Sequence, residues 1–151
     1  MIKEVENKMD YDQLLTESDP NINLVRDYLK HGVLYGYYVN NEPVSFLVLE
    51  ILDGEVEIKN VLTLQEFRNR GYAKALIKFV EEKYSSYPNI LIGTANSSLE
   101  NITFYTRLGY SYSHRVENFF IDYYPKEIFE NGMQATDLLY FKKSNHNSNL
   151  N

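Results

Sequence analysis

The amino-acid sequence predicts an α+β fold in which helices flank a mixed, mostly antiparallel sheet. The predicted elements run in the order strand, two helices, three strands, helix, strand, helix, two strands. The dipeptide Asp53-Gly54, placed between two apolar runs, is a strong hairpin signal and favours antiparallel neighbours. A strand, a helix and another strand then follow one another over residues 55–92, an order that places two strands parallel within the sheet.

A single domain accounts for the size of the chain. Its 151 residues, 44% of them hydrophobic, suffice for one ordinary core and leave little room for a second. We expect this domain to span residues 1–143 and the polar, Asn-rich residues 144–151 to form a disordered tail. The chain has no Cys, which excludes disulfides, thiolate metal sites and a cysteine nucleophile.

Short elements and turn signals organise the first half of the chain. The sequence predicts a strand over residues 2–8, helices over residues 11–17 and 23–31, and strands over residues 33–39, 44–52 and 55–64. Ser18 or Asp19 can cap the second helix, and Gly32 can end it. Because turn signals join the three strands, we expect them to form an antiparallel meander.

The second half begins with a helical period. Tyr72, Leu76 and Tyr84 share one face of a helix predicted over residues 71–85. The apolar run at residues 90–92 is typical of a strand buried on both faces. Ser97 and Glu100 have capping-box spacing, so a second helix is predicted to run from there to residue 108. Gly109 ends this helix, and strands follow over residues 110–123 and 136–142.

Charge and hydropathy exclude several classes of partner. The net charge is −6 and the pI is near 5.1, and no basic patch is visible, so we expect no nucleic-acid partner. Residues 1–6 lack the apolar run of a signal peptide, and no apolar stretch approaches the roughly 20 residues of a membrane span. This predicts a cytoplasmic protein with no membrane partner. The spacing of His31, His114 and His146 predicts no metal site.

The acidic balance of the chain admits two interpretations. A negative surface favours a cationic ligand such as an amine, but it also simply keeps a protein soluble. The sequence alone leaves both open.

The segment from Arg68 to Lys74 carries the clearest chemical signal. A predicted strand ends before it and a helix begins at about Gly71, so unpaired backbone amides and the helix dipole make an anion site. Gly71 lets the backbone approach a bulky phosphate, Ala73 is small, and Arg68 and Arg70 add cationic donors. On its own, the segment could equally be a loop-to-helix turn with solvated arginines.

With its surroundings, this segment strongly resembles the pyrophosphate loop of the GNAT superfamily of N-acetyltransferases. Arg68, Gly71 and Ala73 match the fixed positions of the family pattern, which is Gln or Arg, two residues, Gly, one residue, Gly or Ala. Residues 101–110, Asn-Ile-Thr-Phe-Tyr-Thr-Arg-Leu-Gly-Tyr, look like its second signature. The resemblance implies a three-layer fold, with a splayed parallel strand pair at the site of acetyl-coenzyme A.

The resemblance also implies which residues bind the coenzyme. The pyrophosphate would lie on the backbone amides of residues 69–74, and the pantetheine arm would run beside the preceding strand. The implied contacts are Leu62, Thr63, Leu64, Arg68, Asn69, Arg70, Gly71, Tyr72, Ala73, Lys74 and Asn101. A backbone N–H near Leu62 or Thr63 would polarise the thioester carbonyl. Asn96 is a weaker candidate for the pantetheine arm.

Two catalytic residues follow from the same resemblance. Tyr105 aligns with the tyrosine that protonates the departing thiolate in many of these enzymes. Glu57, eleven residues before Arg68, lies where some members place a general base, and Glu55 is the alternative. An acceptor amine has a pKa of about 10.4 and must lose a proton before it attacks, so a base would help.

The sequence leaves three functions and several details open. An acetyl-CoA-dependent N-acetyltransferase that acts by direct attack is the leading hypothesis. A non-catalytic acyl-CoA sensor of the same fold and a phosphate-binding protein without coenzyme A are the alternatives. The acceptor would be a small-molecule amine or a peptide amine, with a small cationic amine favoured, and the protein would be a monomer or a homodimer.

Overall fold

The computed structural model describes residues 1–145. Its strands are β1 (Ile2–Glu4), β2 (Val33–Val39), β3 (Glu42–Leu52), β4 (Glu55–Thr63), β5 (Asn89–Ala95), β6 (Ser111–Val116), β7 (Phe129–Glu130), β8 (Met133–Gln134) and β9 (Leu138–Ser144). Its helices are α1 (Asp12–Leu15), α2 (Ile22–His31), α3 (Tyr72–Lys83), α4 (Leu99–Arg107) and α5 (Phe119–Asp122), with 3₁₀ turns at Lys8–Tyr11 and Gln65–Phe67. No helix in residues 1–145 is long and apolar enough to cross a membrane.

Seven strands form one mixed sheet in the order β1-β2-β3-β4-β5-β9-β6. Every neighbouring pair is antiparallel except β4 and β5, which α3 joins as a parallel crossover. This confirms the predicted mixed, mostly antiparallel sheet with one parallel pair. A separate hairpin of β7 and β8 lies outside this sheet.

Helices cover both faces of the sheet and enclose two hydrophobic clusters. On one face, buried residues of α3 and α4 such as Leu76 and Tyr105 pack with Leu47 and Leu49 of β3. On the other face, α1 and α2 pack their apolar residues against alternate positions of the same strands. Successive strand side chains point to opposite faces, so β3 supplies both clusters. The result is the predicted three-layer arrangement.

The predicted cap of α2 is wrong. The cap of α2 is Asn21, whose Oδ1 accepts the backbone N–H groups of Asn23 and Leu24 at 3.1 Å, rather than Ser18 or Asp19. A cap must directly precede its helix, and because α2 begins at Ile22, Ser18 and Asp19 lie too early in the chain to cap it.

The predicted capping box at the start of α4 does not form. The cap residue is Ser98, and it makes no side-chain cap hydrogen bond. The hydroxyls of Ser97 and Ser98 instead donate to Oε1 of Glu130, at 3.4 Å and 2.7 Å. Glu130 belongs to the β7–β8 hairpin, so a contact distant in sequence replaces the local one.

Two boundaries late in the chain also differ. The strand predicted over residues 110–123 ends at Val116, because Asn118 adopts φ +57° and donates its N–H to Asp137 before the short helix α5. The final strand extends to Ser144, where the disordered tail was expected to begin. Asn145 is buried and donates its N–H to the carbonyl of Pro88 at 3.0 Å. The rest of that tail lies outside the described residues.

Candidate active site

The parallel strands β4 and β5 separate after only three residue pairs, the last of which is Ile58 with Ile92. On its other side, β4 carries a bulge: Val48 faces Asn60 and Leu49 faces Ile58, which leaves Lys59 without a partner. Such bulges bend a strand and are common beside active sites. The separation opens a cavity of about 760 Å³ that extends from the end of β4 to the loop before α2.

Six of the residues expected at the site line this cavity together. They are Glu57, Leu62, Thr63, Arg68, Asn101 and Tyr105. Three different elements, β4, the loop after it and α4, bring these residues to one place. The remaining expected residues, Leu64 and residues 69–74, lie just beyond the cavity on the loop and the first turn of α3.

The loop before α3 has the geometry of an anion site. Gly71 adopts φ +84° and Asn69 φ +62°, both in the left-handed region. A Cβ added at Gly71 would meet no atom within 4 Å, so the backbone there is open to a large ligand. Gly71 also caps α3, and no side chain in residues 1–145 forms a cap hydrogen bond there. The first amides of the helix therefore remain available to an anion.

The two arginines of the loop are exposed and partly oriented. Nε of Arg68 donates to the carbonyl of Thr63 at 3.0 Å, which fixes the guanidinium beside the end of β4. The guanidinium of Arg70 lies over the ring of Phe67, 5.5 Å from its centroid. Both side chains keep further N–H donors free for phosphate oxygens.

Leu64 and Tyr72 make structural contacts that narrow their expected roles. The N–H of Leu64 donates to Val44, and its carbonyl accepts from Phe67, so its backbone is already engaged. The ring of Tyr72 packs on Tyr37 with centroids 4.5 Å apart. Leu64 can thus reach a ligand through its side chain, and Tyr72 through its amide. Lys74 is exposed and Ala73 is half-buried on the same turn.

Glu57 is a buried carboxylate that lines the cavity. Only 8% of the residue is exposed, and Oε1 accepts hydrogen bonds from the Tyr140 hydroxyl at 2.6 Å and from Nζ of Lys59 at 2.9 Å. Oε2 makes no hydrogen bond within residues 1–145. The alternative carboxylate, Glu55, accepts from Asn89 at 2.9 Å and does not line the cavity. Of the two candidate carboxylates, Glu57 is thus the one that lines the cavity.

Glu50 stands directly opposite Glu57 on the neighbouring strand, and both line the cavity. Like charges placed opposite each other destabilise a sheet. Lys59 and Tyr140 partly offset this cost at Glu57. A pair of like charges that lines a cavity and works against stability is typical of a functional site.

Tyr105 is buried on α4 and is one of the residues that line the cavity. The residue is 5% exposed, and the hydroxyl makes no hydrogen bond to any residue in 1–145. Buried tyrosines usually find a partner for this group, so an unpaired hydroxyl on a residue that lines a cavity is a candidate for contact with a ligand. Burial raises the pKa of Tyr105 well above its usual value, which keeps the proton on the oxygen.

Asn101 lies one helical turn before Tyr105 and donates to Thr94 of β5 at 3.2 Å. This bond crosses the gap between α4 and the sheet at the cavity wall. Asn96, the weaker candidate, has a turn role instead: its Oδ1 accepts the N–H groups of Thr136 and Asp137 at 2.8 and 3.2 Å.

Comparison with known proteins establishes the family. Residues 2–110 match the model of the Acetyltransferase (GNAT) family. The uncharacterized N-acetyltransferase YvbK of Bacillus subtilis (strain 168) is 31% identical over 132 residues, which cover 85% of this chain and 84% of the relative. The chain belongs to the GNAT acetyltransferase family.

Solved structures agree with this membership. A GNAT family acetyltransferase from Elizabethkingia anophelis, crystallised with acetyl-CoA bound, has a TM-score of 0.89 and 34% identity, with 95% of this chain and 97% of that one covered. A Bacillus subtilis acetyltransferase in complex with CoA has a TM-score of 0.87 and 28% identity, with the same coverage. The GNAT fold predicted from the sequence is confirmed, and the protein is an acyltransferase.

The far end of the cavity in this GNAT protein is built by residues that the sequence did not assign to the site. The carboxylate of Asp19 accepts the hydroxyls of Tyr28 at 2.9 Å and of Tyr124 at 2.6 Å. Nδ2 of Asn60 donates to the Tyr28 hydroxyl at 2.9 Å, which connects this network to β4. Burial, with the charge of Asp19 second, raises the pKa of both tyrosines.

These residues gave only a faint signal in the sequence. In the sequence, the stretch 119–142, which includes Asp122-Tyr123-Tyr124-Pro125, looks like a group of small bacterial GNAT proteins, but no pattern connected it to Asp19 about a hundred residues earlier. In the structure, Asn21 also donates to the carbonyl of Tyr123 at 2.7 Å. Two hydrogen bonds thus tie the loop before α2 to the segment after α5, and together these segments close one side of the cavity.

Charge is distributed unevenly around the cavity. Six carboxylates and two cationic side chains line it. The carboxylates are Glu17, Asp19, Asp27, Glu50, Glu57 and Glu130, and the cations are Lys59 and Arg68. Because a cavity focuses the field of its lining charges, this arrangement attracts cations. Residues 1–145 contain no cluster of three or more His, Asp or Glu suited to a metal ion.

Proposed function

We propose that this GNAT protein transfers the acetyl group of acetyl-CoA to the primary amine of a small cationic acceptor by direct attack. One observation carries the proposal: Glu57 and Tyr105 line one cavity at the point where β4 and β5 separate. A base and an acid that line one cavity suit an acyl transfer that needs both.

The donor would bind along β4 and the loop after it. Its pyrophosphate would accept hydrogen bonds from the amides of residues 69–74 and from Arg68 and Arg70, where the backbone at Gly71 is open. The pantetheine arm would lie beside Leu62, Thr63 and Leu64 and within reach of Asn101, which lines the same cavity. The related Elizabethkingia enzyme, crystallised with acetyl-CoA bound, supports this choice of donor.

The reaction would use both catalytic residues. Glu57, directly or through a water molecule, takes a proton from the acceptor ammonium, and the neutral amine attacks the thioester carbonyl carbon. A backbone N–H near Leu62 or Thr63 stabilises the oxyanion that forms. The C–N bond forms as the C–S bond breaks, and Tyr105 protonates the departing thiolate. Holding both reactants in one cavity contributes several kcal/mol by itself.

The lining charges favour a cationic acceptor. An amine with a second positive charge could place it near Asp19 or Glu50 while its reacting nitrogen approaches Glu57. Short diamines and polyamines fit this pattern best. Anionic amines would be repelled by the same carboxylates.

A thiol-release assay over a panel of amines tests the proposal. We expect faster turnover with diamines and polyamines than with neutral or anionic amines of similar size, and a rise in the unfolding temperature with acetyl-CoA. Tight coenzyme binding without turnover on any amine would favour a sensor instead. The absence of a thermal shift at about millimolar acetyl-CoA would contradict the donor assignment.

A matched pair of variants tests the charge argument. Glu50→Gln removes a cavity carboxylate, whereas Asp53→Asn removes an exposed one in the β3–β4 turn. We expect Glu50→Gln to raise KM for a diamine and to leave KM for acetyl-CoA unchanged. Asp53→Asn should alter neither. Equal effects of the two changes would show that only net charge matters.

A further inference from the structure

Lys59 occupies an unusual position for a lysine. It is the unpaired residue of the β4 bulge, and its side chain turns into the cavity, where it is 23% exposed. Its Nζ lies 2.9 Å from Oε1 of Glu57. No other lysine in residues 1–145 lines this cavity. A primary amine is thus already hydrogen-bonded to the carboxylate assigned as general base.

We propose that Lys59 is a self-acetylation site, which the enzyme modifies from acetyl-CoA when no external acceptor is present. The inference rests on the proposed function, since it uses the same donor and the same base. The modified group would be a side-chain amine of the protein itself, held at the place where an external amine would lose its proton.

The chemistry balances without a further reactant. The Lys59 ammonium gives a proton to Oε1 of Glu57 across their 2.9 Å hydrogen bond, a distance suitable for general base catalysis. The neutral Nζ attacks the carbonyl carbon of the thioester, a C–N bond forms and the C–S bond breaks. Coenzyme A leaves as a thiolate and takes a proton from Tyr105. Glu57 then releases the first amine proton to solvent. The nitrogen also loses its second proton to solvent, and Tyr105 regains a proton from solvent, so one proton is released overall.

A purely electrostatic role is the simpler alternative. Lys59 offsets the repulsion between Glu50 and Glu57, and any cation at this position would do so. The two roles differ in what they require: charge compensation needs a cation, whereas acetylation needs an amine that can lose a proton. An arginine supplies the cation but not an amine that can lose a proton, because its guanidinium stays charged.

The test is to incubate the full-length protein with acetyl-CoA and no acceptor, and then to measure the intact mass and map the modified peptide. We expect the addition of one acetyl group, located on Lys59, with a first-order rate that is independent of protein concentration. Lys59→Arg should lose this modification. Lys142→Arg, which alters a lysine paired with Glu55 at 3.8 Å outside the cavity, should keep it.

The Glu57→Gln variant tests the role of the base. Loss of a general base slows proton transfer by roughly 10²-fold or more, so acetylation of Lys59 should slow by that factor. Unmodified Lys59, acetyl groups spread over exposed lysines, or a rate that rises with protein concentration would each overturn the inference. If the enzyme acetylates an external amine while Lys59 stays unmodified, the inference about Lys59 is overturned but the proposed function is not. Failure of both acetyl-CoA binding and amine turnover would overturn the proposed function as well.

Discussion

The hydroxyl of Tyr140 donates a 2.6 Å hydrogen bond to Oε1 of Glu57. The two residues are 83 positions apart in sequence and lie on strands separated by β5. On its other side, the ring of Tyr140 stacks on His114, with centroids 4.8 Å apart. Burial, and after it the bond to Glu57, raises the pKa of Tyr140, so the hydroxyl remains a donor. Tyr140 therefore orients the carboxylate assigned as base.

Replacing Tyr140 with Phe should slow acetyl transfer while preserving substrate binding. Phe keeps the stack on His114 but removes a hydrogen bond to a charged group, which is worth about 1.5–3 kcal/mol. If that bond holds Glu57 in its productive orientation, kcat should fall about tenfold or more. Steady-state kinetics with both substrates would measure kcat and KM separately. Tyr112→Phe, at an exposed tyrosine, is the control, and an unchanged kcat in Tyr140→Phe would reject the role.

Tyr105→Phe should lower kcat and leave the Kd for coenzyme A nearly unchanged. The hydroxyl is the proposed donor to the thiolate, and a general acid contributes at most about 10²–10⁴-fold. The ring itself stays packed in the core, and the lost hydroxyl has no protein partner in residues 1–145, so the unfolding temperature should change little. Calorimetric titration and single-turnover rates separate binding from chemistry. An unchanged rate of acetyl transfer would show that Tyr105 only packs in the core and does not act as the acid.

Gly71→Glu should abolish coenzyme binding. The change places a carboxylate in the open space where the pyrophosphate is proposed to lie, and it strains a residue at φ +84°. Gly54→Glu is a matched control, because Gly54 has φ +76° and equally open surroundings but lies in the β3–β4 turn. Both variants should lose similar stability. Only Gly71→Glu should lose the thermal shift with coenzyme A, and equal loss in both would contradict the assignment of the loop.

The sequence predicted the backbone geometry of the loop before α3 better than the contacts at the far end of the cavity. The hairpin at Asp53-Gly54 and the loop around Gly71 depend on local backbone geometry, which a short run of residues determines. Both lie where they were expected. The bonds of Tyr124 to Asp19 and of Tyr140 to Glu57 join distant parts of the chain, and no periodicity encodes them. The capping box of α4 was predicted wrongly for the same reason, since the hydroxyls of Ser97 and Ser98 donate to the distant Glu130.

The hydrogen bonds of Tyr28 and Tyr124 to Asp19 predict that the protein loses stability at alkaline pH. In the folded chain, burial and the charge of Asp19 raise the pKa of Tyr28 and of Tyr124, whereas an unfolded tyrosine ionises near pH 10. Below about pH 10 both states keep these protons, so stability is unaffected. Above it only the unfolded chain loses them, and the free energy of unfolding falls as pH rises.

Tyr124→Phe should therefore flatten this alkaline loss. One shifted tyrosine contributes at most about 1.4 kcal/mol per pH unit above its unfolded pKa, so its removal should reduce the slope by up to that amount. Urea unfolding at intervals from about pH 9 to about pH 11.5 would measure the slope. At neutral pH the variant should be less stable than the wild type, because a hydrogen bond to Asp19 is lost. The two stability curves should thus converge as pH rises, and parallel curves would contradict a raised pKa at Tyr124.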